Sequence, residues 1–332
     1  MKFFAVDVKR MLNGSQKNGR KRRSPLLFLG IDGGGTKTNA ALMNAAEEVI
    51  AEGASGPSNP LRVGVETAVS NISKAIESAC DEGGLSRGDI VAATLGLAGV
   101  RRQDIKERVR ESFVKRLGIR KATVMTDAEI ALFGTTFGRP GLVVIAGTGS
   151  ICLGKNEKGK LAISGGWGPL AGDEGGGVGI AQAALHRVAK ASDGRGIPTA
   201  LSKQASEYFR ASGPENLIVA IYSPQVDNTR IAGFARLVVE TALKGDKIAV
   251  EILHDAGREL GLAACAVLKQ LKLERQKVPI GCVGGIFHAG KLLTKPMLET
   301  IHKAAPNAYL TEPLMKPSHA AALMALRNGG KR

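Results

Sequence analysis

Short apolar runs that end at glycine mark the first half of the chain, and helical periodicities follow them. Residues 62–82, for example, repeat apolar positions every three or four residues, which is typical of an amphipathic helix. The same reasoning predicts strands at 26–29, 39–43, 49–51, 91–98 and 122–126, and helices at 62–82 and 102–117. Strands come first and helices then alternate with strands, an order that indicates an α/β fold.

A similar pattern begins again after residues 138–141, where we place a domain boundary. An apolar run enters a glycine turn a second time and leaves it as a strand. The elements predicted here are strands at 142–153, 161–163 and 278–283, and helices at 179–191, 199–210, 215–221, 229–243, 246–271, 292–304 and 318–327. The repeated opening predicts a duplicated fold with domains at 25–139 and 140–332, in which the last helix can pack back on the first domain.

Two glycine-rich turns, one at the start of each half, carry the strongest chemical signal. They span residues 30–38 (G-I-D-G-G-G-T-K-T) and 146–150 (A-G-T-G-S). Glycines let backbone N–H groups approach phosphate oxygens, and the side chains of Thr36, Lys37 and Thr38 add donors. The residues expected to hold a nucleotide are Asp32, Gly33, Gly34, Gly35, Thr36, Lys37, Gly147, Thr148, Gly149 and Ser150. A side chain at Gly149 should obstruct the nucleotide.

Asp32 ends the first buried strand inside the first turn. A carboxylate at this position can hold Mg²⁺, directly or through water, against the phosphates of a nucleotide. The structural alternative is that Asp32 only fixes the turn. The neighbouring phosphate donors favour the metal role.

Asp127 follows the strand at 122–126 and begins a helix, so two interpretations are open and both can hold. Aspartate is a good helix N-cap, and a carboxylate at a strand end can also act as a general base toward a substrate hydroxyl.

Residues 164–177 place Trp167, the chain's single tryptophan, beside Asp173 and Glu174 in a glycine-rich loop. Such a loop suits a polyol ligand, and the alternative is an ordinary long loop around a buried tryptophan.

Composition limits the class of protein. The chain has 332 residues, 44% of them hydrophobic and 4% aromatic, so it can form sizeable cores, and base stacking is not an evident theme. Apolar runs fall short of the roughly 18 residues that span a bilayer. No signal-peptide pattern opens the sequence, so we expect a cytoplasmic protein. The four cysteines are scattered without a CxxC or Cys/His cluster, which predicts reduced core thiols and argues against structural zinc.

A net charge of +16 raises the question of nucleic-acid binding. Much of this charge lies in residues 1–23, which hold eight basic residues and one acidic residue. Their Gly/Asn/Ser/Gln-rich context predicts a disordered basic leader over 1–24 or an upstream start codon, with a nucleic-acid or anionic-surface arm as the alternative. We therefore do not expect nucleic acid to be the main partner.

The first turn does not match two common nucleotide-binding motifs. A Walker A loop places Lys directly after Gly, whereas Thr36 separates Gly35 from Lys37. A dinucleotide fingerprint starting at Gly33 needs glycine where Thr38 stands, and a helix where residues 39–43 are strand-like. Hydride transfer is therefore disfavoured.

Together these segments resemble the actin-like, sugar-kinase and heat-shock-chaperone ATPase superfamily. Within it the chain resembles the BadF/BadG-type ATPase family, and most closely that family's N-acetylglucosamine kinases, from about Leu27 to Leu326. The motifs that carry the resemblance are D-G-G-G-T-K-T (32–38), G-P-S-N (56–59), T-D-A (126–128), G-T-G-S (147–150), G-G-W-G-x-x-x-G-D-E-G (165–175), R-I-A-G-F-A-R (230–236) and L-M-K-x-x-H (314–319). The 165–175 segment is specific, whereas the phosphate turns alone identify only the superfamily.

The resemblance implies two actin-like, ribonuclease H-like domains that enclose a cleft. It implies ATP between the two turns, with Thr36 and Thr148 near the phosphates and Gly233, Gly284 and Gly285 around the adenosine. The residues implied to hold the sugar are Asn59, Asp127, Gly166, Trp167, Gly168 and Asp173, with Asp127 as the catalytic base. A side chain at Gly149 should therefore leave sugar binding intact. The implied reaction transfers the γ-phosphoryl group of ATP to O6 of an amino sugar, with Mg²⁺ as cofactor. A broad hexokinase or glucosamine kinase, and a homodimeric assembly, are left open.

Other functions of related proteins fit the sequence less well. Activator ATPases of radical dehydratases need cysteines in a Cys-Ala-Ala-Gly-Thr-Gly context, which neither Cys152 nor Cys265 provides. Zinc-containing glucokinases of the repressor/kinase type are disfavoured because their clustered cysteines are missing. A sugar- and nucleotide-binding regulator with a basic DNA-contacting arm is the non-enzymatic alternative. We therefore expect an ATP-dependent amino-sugar kinase.

Overall fold

Residues 26–329 are described by the computed structural model and fold into ten strands and eleven α-helices. The strands are β1 (Leu27–Gly33), β2 (Thr38–Met43), β3 (Val49–Ser55), β4 (Ile90–Leu97), β5 (Ala122–Thr126), β6 (Gly141–Ala146), β7 (Ser150–Lys155), β8 (Leu161–Gly165), β9 (Pro279–Val283) and β10 (Tyr309–Thr311). The helices are α1 (Pro60–Val63), α2 (Val65–Gly83), α3 (Gln103–Leu117), α4 (Asp127–Thr136), α5 (Gly177–Ser192), α6 (Leu201–Phe209), α7 (Leu217–Ile221), α8 (Asn228–Leu243), α9 (Lys247–Leu271), α10 (Lys291–Ala304) and α11 (Pro317–Gly329). The prediction of a basic leader over 1–24 concerns residues outside this range.

The two sheets share one topology. The first has the strand order β3-β2-β1-β4-β5, and the second has the order β8-β7-β6-β9-β10. In each sheet, the three strands that come first in the sequence pair antiparallel with one another. The two strands that come last run parallel to the first strand of that sheet. This correspondence confirms the duplicated α/β fold. It also identifies β10, which the sequence prediction missed, as the counterpart of β5.

The helix after the last strand of each half packs against the sheet of the other half. From α4, Ala128, Ala131 and Leu132 form a buried cluster with Val143 of β6 and Leu153 of β7. From α11, residues including Ala322, Leu323 and Ala325 form a buried cluster with Phe28, Ala41, Met43 and Ala92 of the first sheet. Helices α4 and α11 also contact each other. The two halves are therefore joined by a pair of exchanged helices.

The helix predicted at 62–82 is divided in two. Asn59 caps α1, Pro60 is its first residue, and Gly64, with φ of +78°, ends it before α2 begins. Proline at the first helical position fits this start because its missing N–H would have no partner there. The division separates the short α1, which reaches the cleft, from α2, which packs on the first sheet.

The cysteines agree with the sequence prediction of core thiols. All four are unpaired, and Cys80 and Cys152 are buried while Cys265 and Cys282 are partly buried. Burial raises the pKa of Cys282 to about 12, so its thiol is protonated at neutral pH. Across residues 26–329, no helix has the length and apolar character that crossing a membrane requires.

Candidate active site

Asp127 is the first residue of α4, the helix that packs on the second sheet. Thr126 caps this helix: its Oγ1 accepts a hydrogen bond from Glu129 N at 3.2 Å, and Glu129 Oε2 accepts one from Thr126 N at 2.7 Å. The prediction of Asp127 as the N-cap is therefore wrong by one position. Because the capping box satisfies the helix end without Asp127, the aspartate side chain is available for other contacts.

Burial determines the ionisation of Asp127. Removal of the carboxyl group from water raises its pKa from 3.8 to about 6, and the hydrogen bond from Ala128 N at 2.9 Å opposes this increase. The nearby Asp32 carboxylate raises the pKa further, because like charges disfavour each other's ionisation. The helix N-terminus favours the anion, so desolvation outweighs it. The result is a carboxylate that is ionised at neutral pH and basic enough to accept a hydroxyl proton.

Asp32 lies at the end of β1, where Asn39 Nδ2 donates a hydrogen bond to its Oδ2 at 3.3 Å. Burial raises the pKa of Asp32, while the Asn39 amide and the Lys37 ammonium act in the opposite direction. Gly96 pairs with Asp32 across the sheet, and a Cβ there would overlap Ile130 of α4. The bare glycine therefore lets α4 approach the sheet, which brings Asp127 towards the end of β1.

The first glycine turn is tied to the segment with the G-P-S-N motif. Gly34 O accepts hydrogen bonds from Ser58 N and Asn59 N, both at 3.1 Å. Thr36 and Lys37 are exposed at the tip of the turn and can meet a ligand. Thr38 is fully buried, and its hydroxyl donates to Gly56 O at 2.6 Å. The prediction of Thr38 as a phosphate donor is therefore wrong, because its proton holds the turn against this segment.

Asn59 stands where three segments of the first half meet. Its Oδ1 accepts a hydrogen bond from Leu61 N at 3.0 Å, and its backbone N–H reaches the glycine turn. Gly99, with φ of +79°, lies so close that a Cβ would overlap the Asn59 amide. The loop after β4 is thus fixed directly against Asn59.

The second glycine turn is bonded to the first turn of α5. Gly147 O accepts from Gly177 N at 2.8 Å, and Thr148 O accepts from Val178 N at 3.0 Å. The turn therefore lies at a helix N-terminus, which favours anions. Ser150 is buried, and its hydroxyl donates to Glu174 O at 2.6 Å. That proton anchors the 165–175 loop and is not free for a phosphate.

Asp173 connects the second turn to the tryptophan loop. It is buried, has φ of +62°, and its Oδ1 accepts a hydrogen bond from Gly168 N at 3.1 Å. Burial raises the pKa of Asp173, and backbone hydrogen bonds from Gly168 and Ser150 act against it. A Cβ at Gly149 would overlap the Asp173 carboxylate. The absence of a side chain at Gly149 therefore leaves room for the Asp173 carboxylate, and it would also leave room for a bound phosphate.

Trp167 is 71% exposed, so the alternative of a long loop around a buried tryptophan is wrong. The guanidinium carbon of Arg101, from the first half of the chain, lies 5.6 Å from the centre of the indole ring. Gly166 precedes it and donates its backbone N–H to Ser150 O at 2.9 Å. Trp167 thus faces solvent at a point where the two halves meet.

A cavity of about 630 Å³ collects the residues implied to surround adenosine. Gly147, Thr148, Gly233 and Gly285 line it, together with the apolar side chains of Ala232, Val239, Leu243 and Ile286. Gly284 lies beside it with φ of +115°, packed against Ala146 O. The cavity has mostly apolar walls, with Arg236, Glu240 and His288 also lining it. Its opening next to a glycine turn suits a nucleobase whose phosphates reach the turn.

Arg62 is a further residue of the cleft that the sequence analysis missed. Its Nη2 donates to Thr229 Oγ1 at 2.8 Å and lies 3.5 Å from Asp227 Oδ2, both on the second half. Its Nη1 lies 3.5 Å from Gly35 O of the first glycine turn. The sequence contained one signal for this position. The Asn59-Pro60 pair indicates that a helix begins before residue 62, which places Arg62 near a helix start.

The chain belongs to the BadF/BadG/BcrA/BcrD ATPase family, since the sequence profile of that family matches residues 29–325. It is 36% identical over 261 residues to the N-acetylmuramic acid/N-acetylglucosamine kinase of Clostridium acetobutylicum, covering 78% of this chain and 85% of the relative. It is 33% identical over 314 residues to the N-acetyl-D-glucosamine kinase of Dictyostelium discoideum, covering 91% of this chain and 98% of the relative.

A solved structure from Chromobacterium violaceum, provisionally assigned as an N-acetylglucosamine kinase, has the same fold. It superposes with a TM-score of 0.78 at 24% identity and covers 91% of this chain and 100% of its own. The shared fold extends through both halves of the chain.

Proposed function

We propose that this protein is an ATP-dependent amino-sugar kinase that transfers the γ-phosphoryl group of ATP to O6 of N-acetylglucosamine. The observation that carries the proposal is Asp127, a desolvated carboxylate with a pKa of about 6. It stands beside Asp32 of the first glycine turn, at the start of helix α4, which packs on the second sheet. The names of the relatives support an amino sugar as the acceptor.

ATP would bind with its adenosine in the cavity beside Gly233 and Gly285 and its phosphates between the two glycine turns. Thr148 belongs to both the cavity and the second turn. Thr36 and Lys37 are exposed on the opposite turn. The helix N-terminus behind residues 147–149 adds a favourable field for the phosphates.

Asp32 would hold the Mg²⁺ that accompanies ATP. Magnesium is usually bound by one or two carboxylates together with substrate phosphates and water, so a single aspartate here fits the ion. The ion would neutralise charge on the phosphates during transfer. Asn39 orients the carboxylate for this task through its hydrogen bond.

The sugar would lie between Asn59 and Asp127 on one side and the Gly166–Gly168 segment with Asp173 on the other. Asp127 takes the proton of the O6 hydroxyl as that oxygen bonds to the γ-phosphorus. The bond from phosphorus to the β,γ-bridging oxygen breaks, and ADP leaves. Little covalent chemistry is needed from the protein, so positioning and exclusion of water supply most of the rate.

The activity should depend on pH through Asp127. Its raised pKa means that the carboxyl group is protonated below about pH 6 and cannot accept the hydroxyl proton. We expect kcat/KM for the sugar to be level near pH 7–8 and to fall about tenfold per pH unit below about 6. A pH–rate profile at saturating ATP measures this. An inflection near pH 4, the ordinary range of an aspartate, would contradict the assignment.

A panel of sugars assayed with ATP and Mg²⁺ tests the proposed reaction. We expect N-acetylglucosamine to be preferred over glucose by roughly 10- to 200-fold in kcat/KM, the range that one extra apolar contact provides. Glucosamine and mannose complete the panel, and direct detection of the sugar phosphate separates transfer from ATP hydrolysis.

Two other outcomes of the sugar panel would indicate a different function. A clear preference for glucose would replace the proposal with a broad hexokinase. If no sugar is phosphorylated while ATP is slowly hydrolysed and a dehydratase partner binds, the activator-ATPase function would replace it.

A further inference from the structure

We propose that Arg62 is a positioning residue that latches the two halves of the chain together across the mouth of the cleft, and so limits the release of a bound nucleotide. The inference rests on the proposed function, because it concerns the same nucleotide site. It assigns the retention of nucleotide to a residue that lies outside both glycine turns and outside the motifs that carry the family resemblance.

Arg62 makes the hydrogen bonds that join the two halves away from the exchanged helices. Its Nη2 donates to Thr229 Oγ1 at 2.8 Å and lies 3.5 Å from Asp227 Oδ2. Every other hydrogen bond between residues 26–139 and 140–329 involves residues 314–329, which form α11 and the segment that enters it. A separation of the halves about α4 and α11 would therefore have to break the link at Arg62.

Arg62 also contacts the first glycine turn. Its Nη1 lies 3.5 Å from Gly35 O, and a Cβ at Gly35 would overlap the guanidinium. A cavity of about 590 Å³ extends from Thr36 of this turn to Thr229 at the start of α8, with Arg62 in its wall. Thr229 also lines the apolar cavity beside the second turn, so the two spaces adjoin there. A nucleotide that reached from the apolar cavity to the first turn would therefore pass beside Arg62.

The contact is weak enough to open in each catalytic cycle. The side chains of Arg62 and Asp227 are 35% and 61% exposed, so water and salt screen their attraction. Asp227 nevertheless stays ionised, because its pKa is lowered, chiefly by the backbone hydrogen bond from Arg230 and also by the charge of Arg62. The link therefore combines one hydrogen bond to a hydroxyl with a screened ion pair.

The test is the rate at which ADP leaves the protein. ADP with a fluorescent N-methylanthraniloyl group on its ribose is bound, and its release is followed by stopped-flow fluorescence after mixing with excess ADP. In Arg62→Gln we expect release to be about 3- to 10-fold faster, the effect of losing one partly exposed hydrogen bond. The difference from wild type should shrink as NaCl is raised from about 0.05 to 0.5 M, because salt screens the ion pair that only wild type has.

The variant Asp227→Asn tests the pair from the other side, because asparagine can still cap α8 and carries no charge. It should also speed release, and the double variant should be no faster than Arg62→Gln alone, because each change breaks the same contact. Arg62→Lys keeps the charge and loses the paired donors, so its rate should fall between wild type and Arg62→Gln.

Arg230→Gln is the matched control, because it removes the same charge from the wall of the same cavity. The guanidinium carbon of Arg230 lies 4.0 Å from the ring centre of Tyr208, which is in its own half. Its release rate should stay near that of wild type. Equal acceleration in Arg62→Gln and Arg230→Gln would overturn the latch, since both would reflect only a loss of positive charge.

Two further results would separate the latch from the proposed function. Unchanged ADP release in Arg62→Gln would overturn the latch and leave the kinase intact. A wild-type protein that binds no ADP would overturn the proposed function, and the latch with it.

Discussion

Replacement of Asp127 by asparagine is expected to lower kcat by roughly 10²- to 10⁴-fold, the usual contribution of a general base. The amide has nearly the same shape and can still accept the hydrogen bond from Ala128 N. It cannot take the proton from the sugar hydroxyl. The affinity for ATP should therefore persist, and steady-state kinetics together with nucleotide titration measure the two effects separately.

The stability of the Asp127→Asn variant provides an internal check. Because burial raises the pKa of Asp127 above its unfolded value, ionisation of the carboxylate lowers native-state stability progressively between about pH 4 and pH 6, and the full loss persists above pH 6. The neutral amide avoids this cost, so the variant should unfold no earlier than wild type at pH 8. The difference should disappear below about pH 4, where the wild-type group is protonated in both states.

Glu129→Gln is the matched control for the loss of activity. It neutralises a carboxylate two residues away on the same helix, and Glu129 belongs to the capping box. A small loss of stability with near-normal kcat is expected. Near-normal turnover in Asp127→Asn itself would remove Asp127 from the role of base.

Substitution of Gly147 by valine is expected to abolish nucleotide binding while sugar binding survives. Apart from its chain neighbours, a Cβ at Gly147 meets no protein atom within 4 Å, so the side chain should extend into the open space where phosphates would lie. Calorimetric titration with a non-hydrolysable ATP analogue and, separately, with the sugar measures both affinities. Unchanged nucleotide affinity would mean that the second turn is structural only.

Gly149→Val is the informative comparison, because the same change two residues later meets a protein group. Its side chain would displace the Asp173 carboxylate, so both nucleotide and sugar affinity should fall. The sequence alone led to the expectation that this variant keeps its sugar site. A variant that loses nucleotide binding only would restore that earlier expectation and separate Asp173 from the sugar.

The repeated hairpins could be predicted because both halves open with a buried apolar run and a glycine turn. Local patterns also located most helices within a few residues. These patterns failed where a segment was too short to recognise, and where two neighbouring residues could both act as the helix cap. Three-residue β10 shows too little alternation to be recognised, and Thr126 rather than Asp127 caps α4 because its hydroxyl can pair with Glu129.

The contacts that shape the candidate site were beyond local reasoning. Gly149 and Asp173, or Arg101 and Trp167, meet only because separate loops converge in three dimensions. The sequence led us to expect that the last helix packs back on the first domain, but not that α4 packs on the second sheet, because the apolar face that this sheet leaves open is not evident from any single segment. Sequence therefore indicated which residues are candidates for the chemistry, and the structure added how these residues contact each other.

A crystal structure with N-acetylglucosamine and a non-hydrolysable ATP analogue tests the proposed arrangement most directly. We expect O6 of the sugar within roughly 2.6–3.2 Å of an Asp127 carboxylate oxygen, facing a γ-phosphate that lies between the two glycine turns. A sugar bound away from Asp127, or phosphates that touch only one of the turns, would contradict the arrangement.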